Sequence, residues 1–358
     1  MPFRRFSASV LSLMLLAAGP LQAQQTDTPA QLVKQGVALY DQGKYDEAVL
    51  RYKQALRQDP GNHTARYELA MTYNALGQNE EAVALCRKLA KDDPEPGPSL
   101  YDTWGNALDG LHKPKDAVKV YQQGLRFYPN EGSLYYNLGV TQAVSLGQLE
   151  ESMASMQQAV RCRPTHVNSV NTLMQLTLKQ GNRVPALLEM LRQLQLEPTG
   201  ERAAVTLKGL DQLVGRGVEK TGEQAVTINV SRESLKNSGR KNQPDNFGHA
   251  DMLLSMSGAL DYSEENKDKT PTEQLIRKLE SLISVLEEQH PATQPGFAWQ
   301  YFVPYFVELK KQGYLPALAY SVQASRAAAT PEVQQWLAAH TATLEEYQHW
   351  SEAYSWPK

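Results

Sequence analysis

Five prolines, Pro60, Pro94, Pro129, Pro164 and Pro198, follow one another at intervals of 34, 35, 35 and 34 residues. A small residue stands twelve positions before each: Ala48, Ala82, Ala117, Ser152 and Ala186. A shared period near 34 residues marks stacked helix-turn-helix units, none of which buries its apolar face alone. About half of the chain is therefore read as an array, which offers extended surfaces before it offers a catalytic centre.

The period divides residues 29–200 into five units, 29–62, 63–96, 98–131, 132–165 and 167–200. Each needs a first helix, a tight turn, a second helix and a stop. In the first, Gly36 gives room where the helices cross, Gly43 makes the turn, and Tyr45, Ala48, Tyr52 and Ala55 form the inward stripe. A larger residue at the crossing would hold the axes apart. Pro60 ends the unit because it cannot donate the hydrogen bond that continues a helix. Leu69, Ala70, Tyr73, Gly77, Ala82, Cys86 and Leu89 repeat the scheme in the second. The third has Trp104, Gly105, Leu108, Ala117, Tyr121 and Gly124, with His112 in place of the turn glycine, a residue that tolerates the left-handed conformation. The fourth carries one extra residue between Gly139 and Gly147, which should lengthen or bulge its first helix. The fifth keeps Leu173, Gly181, Ala186 and Met190 but has Met174 and Gln193 at small-residue positions, as a terminal, partly capping unit would.

These units resemble the tetratricopeptide repeat family, down to the string YNLG at Tyr136 to Gly139 and YDEA at Tyr45 to Ala48. The resemblance implies an all-α helical-hairpin solenoid of about five repeats. It further implies a concave groove lined by outward positions of the first helices: Val33, Val37, Tyr40, Tyr67, Met71, Asn74, Asp102, Asn106, Asp109, Tyr136, Val140, Asn171, Gln175 and Leu178. One subset of the family grips a C-terminal carboxylate with lysine, arginine and asparagine. Here only Asn106 and Asn137 suggest such a clamp, and the third repeat is acidic, so an aromatic and amide surface for a peptide or protein segment fits better.

The first 23 residues read as a signal peptide: Arg4 and Arg5, an apolar stretch from Val10 to Ala18, and a small-residue site ending at Ala23. That places the mature chain outside the cytoplasm, periplasmic or secreted. Without those two arginines, 34 basic side chains face 39 acidic ones, a net charge of −5, which gives no basic stripe for nucleic acid. No other segment has the length of a membrane span. Cys86 and Cys162 lie in different repeats and read as separate small packing residues, with a bridge between them left open.

Beyond Glu201 the period stops. Residues 201–269 read as a loop-rich connector, with a β-branched run at Ala225 to Val230 and a short helix from His249 to Tyr262. Residues 270–358 read as a helical module. Thr270, Pro271 and Glu273 make a capped helix start, and Leu275, Ile276, Leu279, Leu282, Ile283 and Leu286 share one face. Phe297, Trp299, Tyr301, Phe302, Tyr305 and Phe306 mark a buried helix that Pro304 should kink or confine to one side. Two helices start near Pro316 and Pro331, and the last of them carries Trp336, Leu337, Leu344, Tyr347, Trp350 and Tyr354, enough apolar surface for a separate core or for docking on the array. The strings Leu254 to Asn266 and Trp299 to Phe306 resemble the C-terminal region of secreted bacterial repeat proteins.

No catalytic signature survives inspection. Gly215, Gly217, Lys220 and Thr221 suggest a phosphate loop, but Glu219 stands where glycine is needed. Ser238 with Lys241, and the KTG of Lys220 to Gly222, occur in reversed order and too close together for a penicillin-recognising serine enzyme. His249, Asp251 and Asp245, or Asp261, Glu264, Glu265 and Asp268, could approach a cation, but Asn266 replaces the glycine of a calcium loop. Arg232, Lys236, Arg240 and Lys241 make Ser231 to Lys241 locally basic, as a solvated segment is. The expectation is a non-enzymatic extracytoplasmic scaffold, with no cofactor or metal, that binds a protein or peptide. The alternative is a hydrolase or metal-dependent enzyme in the C-terminal module to which the repeats recruit substrate.

Overall fold

The computed structural model describes residues 27–93, 95–222, 225–230, 235, 244–289 and 293–357. The signal-peptide reading, Pro94 and the basic residues Arg232, Lys236, Arg240 and Lys241 with Ser238 lie outside them. The chain divides into two compact units, up to Leu76 and from Gly77 onward.

The first unit holds α1 (Pro29–Asp41), α2 (Tyr45–Gln58) and α3 (His63–Ala75). Thr28 starts α1 with a capping box shared with Gln31, so two otherwise unpaired backbone N–H groups are satisfied. Ala48, Tyr52 and Ala55 of α2 are fully buried, and a Cβ on Gly36 would run into the ring of Tyr52. The glycine is there because the tyrosine occupies the space a side chain would need.

The second unit continues the hairpins with α4 (Asn79–Asp92), α5 (Pro98–Gly110), α6 (Pro114–Phe127), α7 (Gly132–Val140), α8 (Leu149–Cys162), α9 (Val167–Lys179) and α10 (Arg183–Leu196). Gly105 meets Tyr121 as Gly36 meets Tyr52, and Gly139 meets Met156 with 2.7 Å to a built Cβ. Ala82, Ala117, Ser152 and Ala186 are all fully buried, as the period requires. The extra residue of the fourth repeat is absorbed as a π-helical turn, Thr141–Ser145, directly after α7. His112 adopts φ +57°, taking the left-handed place that Gly77, Gly147 and Gly181 fill at φ 72°, 69° and 78°.

After α10 the expected loop-rich connector is corrected at its start. Residues Glu201–Gly215 form a 15-residue helix, α11, whose buried face is Ala203, Thr206, Leu207, Leu210 and Val214. Those positions are three and four residues apart, so the helix is amphipathic and packs on α10 as a next first helix would. A two-stranded antiparallel ribbon follows, β1 (Val218–Lys220) with β2 (Val226–Ile228), then α12 (Gly248–Ala259) and a 3-10 turn at Leu260–Tyr262.

The remaining helices are α13 (Pro271–Glu288), α14 (Phe297–Lys311), α15 (Leu315–Ser321), α16 (Pro331–Ala339) and α17 (Thr341–Ala353). Helix α14 runs through Pro304 and is not confined to one side of it. The lost hydrogen bond and ring clash cost about 3 kcal/mol. Burial of Tyr301, Phe302, Tyr305 and Phe306, each fully covered, offsets that. The last aromatic run is two helices, because His340 at φ −120°, ψ 34° breaks it while stacking on Trp336 at 4.2 Å.

One apolar core extends from Met153 to Tyr347, so the last repeats and the C-terminal helices share it. The fifth repeat is therefore not an end cap. Twelve residues of α10, from Arg183 to Leu194, are buried, which leaves it no solvent face. Tyr301 of α14 reaches back to donate to the Val160 carbonyl of α8 at 3.0 Å.

Candidate binding surface

In the first unit, Val33, Val37 and Tyr40 on α1 and Tyr67, Met71 and Asn74 on α3 are all half-buried. Val33 rests on the small core of Leu32, Ala55 and Ala65, and Tyr40 lies 5.0 Å from the Tyr45 ring. The Tyr67 hydroxyl donates to Met71 Sδ at 3.8 Å. Glu68, which sequence reasoning misses, sits among them, and burial together with the nearby Asp41 raises its pKa.

In the second unit the acidic residues of α5 have structural partners. Asp102 accepts from Ser133 Oγ at 2.5 Å and from Asn137 Nδ2 at 2.7 Å, and burial still holds its carboxyl above the usual range. Asp109 accepts from Thr141 Oγ1 at 3.0 Å and Ser145 Oγ at 3.1 Å, so the π turn aims both of its hydroxyls at one carboxylate. The exposed Asn106 accepts from the Tyr121 hydroxyl at 2.6 Å. These three side chains of α5 thus brace neighbouring helices. The two asparagines suggestive of a carboxylate clamp, Asn106 and Asn137, are both engaged.

Tyr136 and Val140 on α7 pack against the main core at one edge. The Tyr136 ring meets His166 edge-on at 5.0 Å, and burial with the adjacent Arg163 lowers the His166 pKa. On α9, Asn171 is half-buried, Gln175 is exposed and Leu178 packs on the core. The second unit therefore presents aromatic edge, amide and aliphatic groups, with Asp102 and the Oδ2 of Asp109 already hydrogen-bonded and Asp109 Oδ1 buried without a partner.

Three of the carboxylates considered for cation binding, Asp245, Asp251 and Asp261, have structural duties. Asp245 caps α14, accepting from the backbone N–H groups of Phe297 at 3.0 Å, Ala298 at 2.8 Å and Trp299 at 3.2 Å. Asp251 pairs with Arg183 at 2.9 Å, and Asp261 with Arg277 at 2.5 Å and Lys278 at 2.6 Å. Among the described residues no group of three or more His, Cys, Asp or Glu side chains converges as a metal site would. Cys86 and Cys162 are both free thiols, and burial raises the Cys86 pKa to about 12, which makes it a packing residue. No helix among the described residues is long and apolar enough to cross a membrane.

Helical hairpins repeated at this period, crossing at small residues and ending in a shared helical core, define a repeat protein of the helix-turn-helix class. Tetratricopeptide repeat family models match residues 39–101 and 103–167, so the helical hairpins of this chain are tetratricopeptide repeats. It is similar to the Hsp70-Hsp90 organising protein of Plasmodium falciparum, 34% identical over 109 residues, which is 29% of this chain and 42% of that one. It is also similar to the small glutamine-rich tetratricopeptide repeat-containing protein 2 of Mycosarcoma maydis, 27% identical over 35% of this chain and 34% of that one. The chain thus spans less than half the length of either relative. Solved structures that it resembles include TTC0263, a thermophilic TPR protein in Thermus thermophilus (23% identity, 52% of this chain, 99% of that chain, TM-score 0.43), and Pseudomonas aeruginosa pilF (16%, 52%, 88%, 0.43).

Proposed function

We propose that the chain is an extracytoplasmic protein–protein interaction scaffold that holds a peptide or protein segment against the first-helix faces of its repeats. The observation that carries this reading is the chemistry left on those faces once internal bonds are counted. Val37, Tyr67 and Met71 in the first unit, and Tyr136, Asn171 and Gln175 in the second, offer exposed or half-exposed rings, methyls and amides. Rings with a polar tip and amides that both donate and accept suit an extended backbone segment, and the α5 carboxylates are already engaged by neutral donors of the next repeat. A relative named for organising Hsp70 and Hsp90 supports a protein as the partner class. Arg4, Arg5 and the apolar stretch to Ala18 support export, with cleavage after Ala23.

Photo-crosslinking in intact cells tests both parts. A benzophenone side chain is placed at Tyr67, Tyr136 or Gln175 and, as control, at the exposed Lys119 of α6. The expected result is a discrete adduct from the first three only, on a chain recovered outside the cytoplasm with Gln24 at its N-terminus. The combined substitutions Tyr67→Ala, Tyr136→Ala and Gln175→Ala should abolish the adducted partner's capture with an unchanged helical signal. Asn106 is left in place because it anchors Tyr121. Equal adducts from Lys119, or capture that survives the triple variant, would overturn the reading.

A further inference from the structure

A cavity of about 560 Å³ opens where the end of α10 faces α15 and α17. That volume falls within the roughly 300–1,000 Å³ of small-molecule pockets. Its polar lining includes Arg192 and Gln195 of α10 with Tyr347 and Ser351 of α17, while leucines such as Leu337 and Leu344 line it too.

Arg192 is only 3% exposed, yet no carboxylate among the described residues pairs with it. The other buried arginine of α10, Arg183, has Asp251, and Arg277 has Asp261. The Arg192 guanidinium makes two long hydrogen bonds, Nη1 to Ser351 Oγ and Nη2 to the Pro164 carbonyl, both 3.3 Å, and its Nε is buried without a partner. It also lies against the rings of Trp356 at 4.8 Å and Tyr305 at 5.5 Å, with the Tyr305 hydroxyl as a further neutral neighbour. A buried cation held by ring faces and two stretched bonds is a site that lacks its counterion.

The groups beside it are all neutral, and Gln195 Oε1 among them is itself a buried acceptor without a partner, so they supply Arg192 with no counter-charge. Gln195 Nε2 donates to Tyr305 at 2.8 Å and to Tyr347, and the Tyr305 hydroxyl shares one proton contact with Ser351 at 2.6 Å. Tyrosine and serine hydroxyls that already accept still hold protons to donate. The missing partner is therefore an acceptor with negative charge. One guanidinium compensates one charge, and Glu352 in the same lining, held by Gln348 at 3.2 Å, disfavours a dianion such as phosphate. A planar monoanion matches the arginine fork, and the leucines require an apolar body behind it.

We propose that this cavity binds a small amphipathic carboxylate, a medium-chain aliphatic acid, with its carboxylate on Arg192 and its tail among Leu337 and Leu344. The site is separate from the first-helix faces, and its occupancy would couple a small molecule to the helices that bury the fifth repeat.

Isothermal titration of the full chain with decanoate below its micellar range, against 1-decanol of the same length, tests this. Decanoate should bind one per chain and raise Tm, with decanol at least about tenfold weaker because it cannot make charge-assisted bonds. Arg192→Met should remove the difference between the two. Leu344→Trp, which fills the cavity and leaves the arginine, should block both while the protein stays folded by circular dichroism. No decanoate binding, equal affinity for acid and alcohol, or binding undiminished in the folded Leu344→Trp protein would each overturn the proposal.

Discussion

The α5–α6 and α9–α10 hairpins occupy equivalent places in the repeat, yet one second helix is a surface layer and the other a core. Four of the fourteen residues of α6 are buried, Ala117, Val120, Tyr121 and Gly124, against twelve of fourteen in α10. The positions that meet the first helix are equivalent, Ala117, Val120, Tyr121 and Gly124 in α6 and Ala186, Glu189, Met190 and Gln193 in α10. What differs is the opposite side. Gln123 and Arg126 of α6 lie in solvent, whereas Arg192 and Gln195, two repeats later, are covered by the C-terminal helices. A repeat helix can thus become the axis of a globular module if its outer polar residues find partners there, since an unpaired buried charge is costly.

Arg183 is the sharpest test of that view. It joins α10 to the end of α11 through the Leu213 carbonyl at 2.7 Å and the Val214 carbonyl at 3.2 Å, and to α12 through Asp251 at 2.9 Å and Ser255 Oγ at 2.7 Å. Arg183→Met should cost about 3 kcal/mol or more, roughly 6–12 °C in Tm, because it removes a buried guanidinium that ties a partly buried carboxylate, a serine and two carbonyls together. Lys115→Met on the exposed side of α6 should leave Tm unmoved. Equal effects from the two in thermal melts would mean that α10 is not held by its polar outer side.

Much of the array is legible in the sequence because its determinants are local. Gly36 under Tyr52 and Gly105 under Tyr121 are contacts within one period, and His112 reports its turn by standing where glycine stands elsewhere. The inserted residue announces the π turn, although not the duty of Thr141 and Ser145 toward Asp109. That duty is within reach of a sequence argument: Asp102 and Asn137 are 35 residues apart, one repeat, so pairing like positions in adjacent repeats exposes the braces. Helix α11 is also readable from Ala203, Leu207, Leu210 and Val214, but Gly200, Gly209 and Gly215 draw the reading toward loop. The burial of α10 is not legible. Arg192 meets Ser351 across 159 residues, and no local pattern says which outer face a later segment will cover.

Glu189 sharpens the comparison by pH. It faces the core of the module where α6 has Val120, accepts from Thr177 Oγ1 at 3.2 Å, and leaves its second carboxylate oxygen buried without a partner. Burial first, then the charge of Asp245, raises its pKa well above the ordinary glutamate value. A raised folded-state pKa means that the folded protein holds the proton more tightly than the unfolded chain. The contribution is fully present below the unfolded-state pKa and is lost as pH rises from there toward the folded-state value. Glu189→Gln, which keeps the Thr177 bond without a charge to bury, should therefore raise Tm by a few degrees at pH 8 and leave it unchanged near pH 4. Parallel shifts at both pH values would show that the carboxylate is solvated in the folded protein.

The smallest effect lies in the turns that open the two second helices. His112 holds φ +57° between α5 and α6, while Gly181 holds φ +78° between α9 and α10. A residue with a Cβ is strained by about 1–2 kcal/mol in this conformation. Glycine relieves the strain but gives back about 0.4–1 kcal/mol through the greater freedom of the unfolded chain. His112→Gly should therefore be neutral to slightly stabilising, by no more than about 1.6 kcal/mol, and Gly181→Ala should destabilise, since both terms reverse sign. A Tm that falls with His112→Gly would mean that the imidazole makes a stabilising contact beyond its backbone role, and the third turn would then be a substitution selected for its side chain.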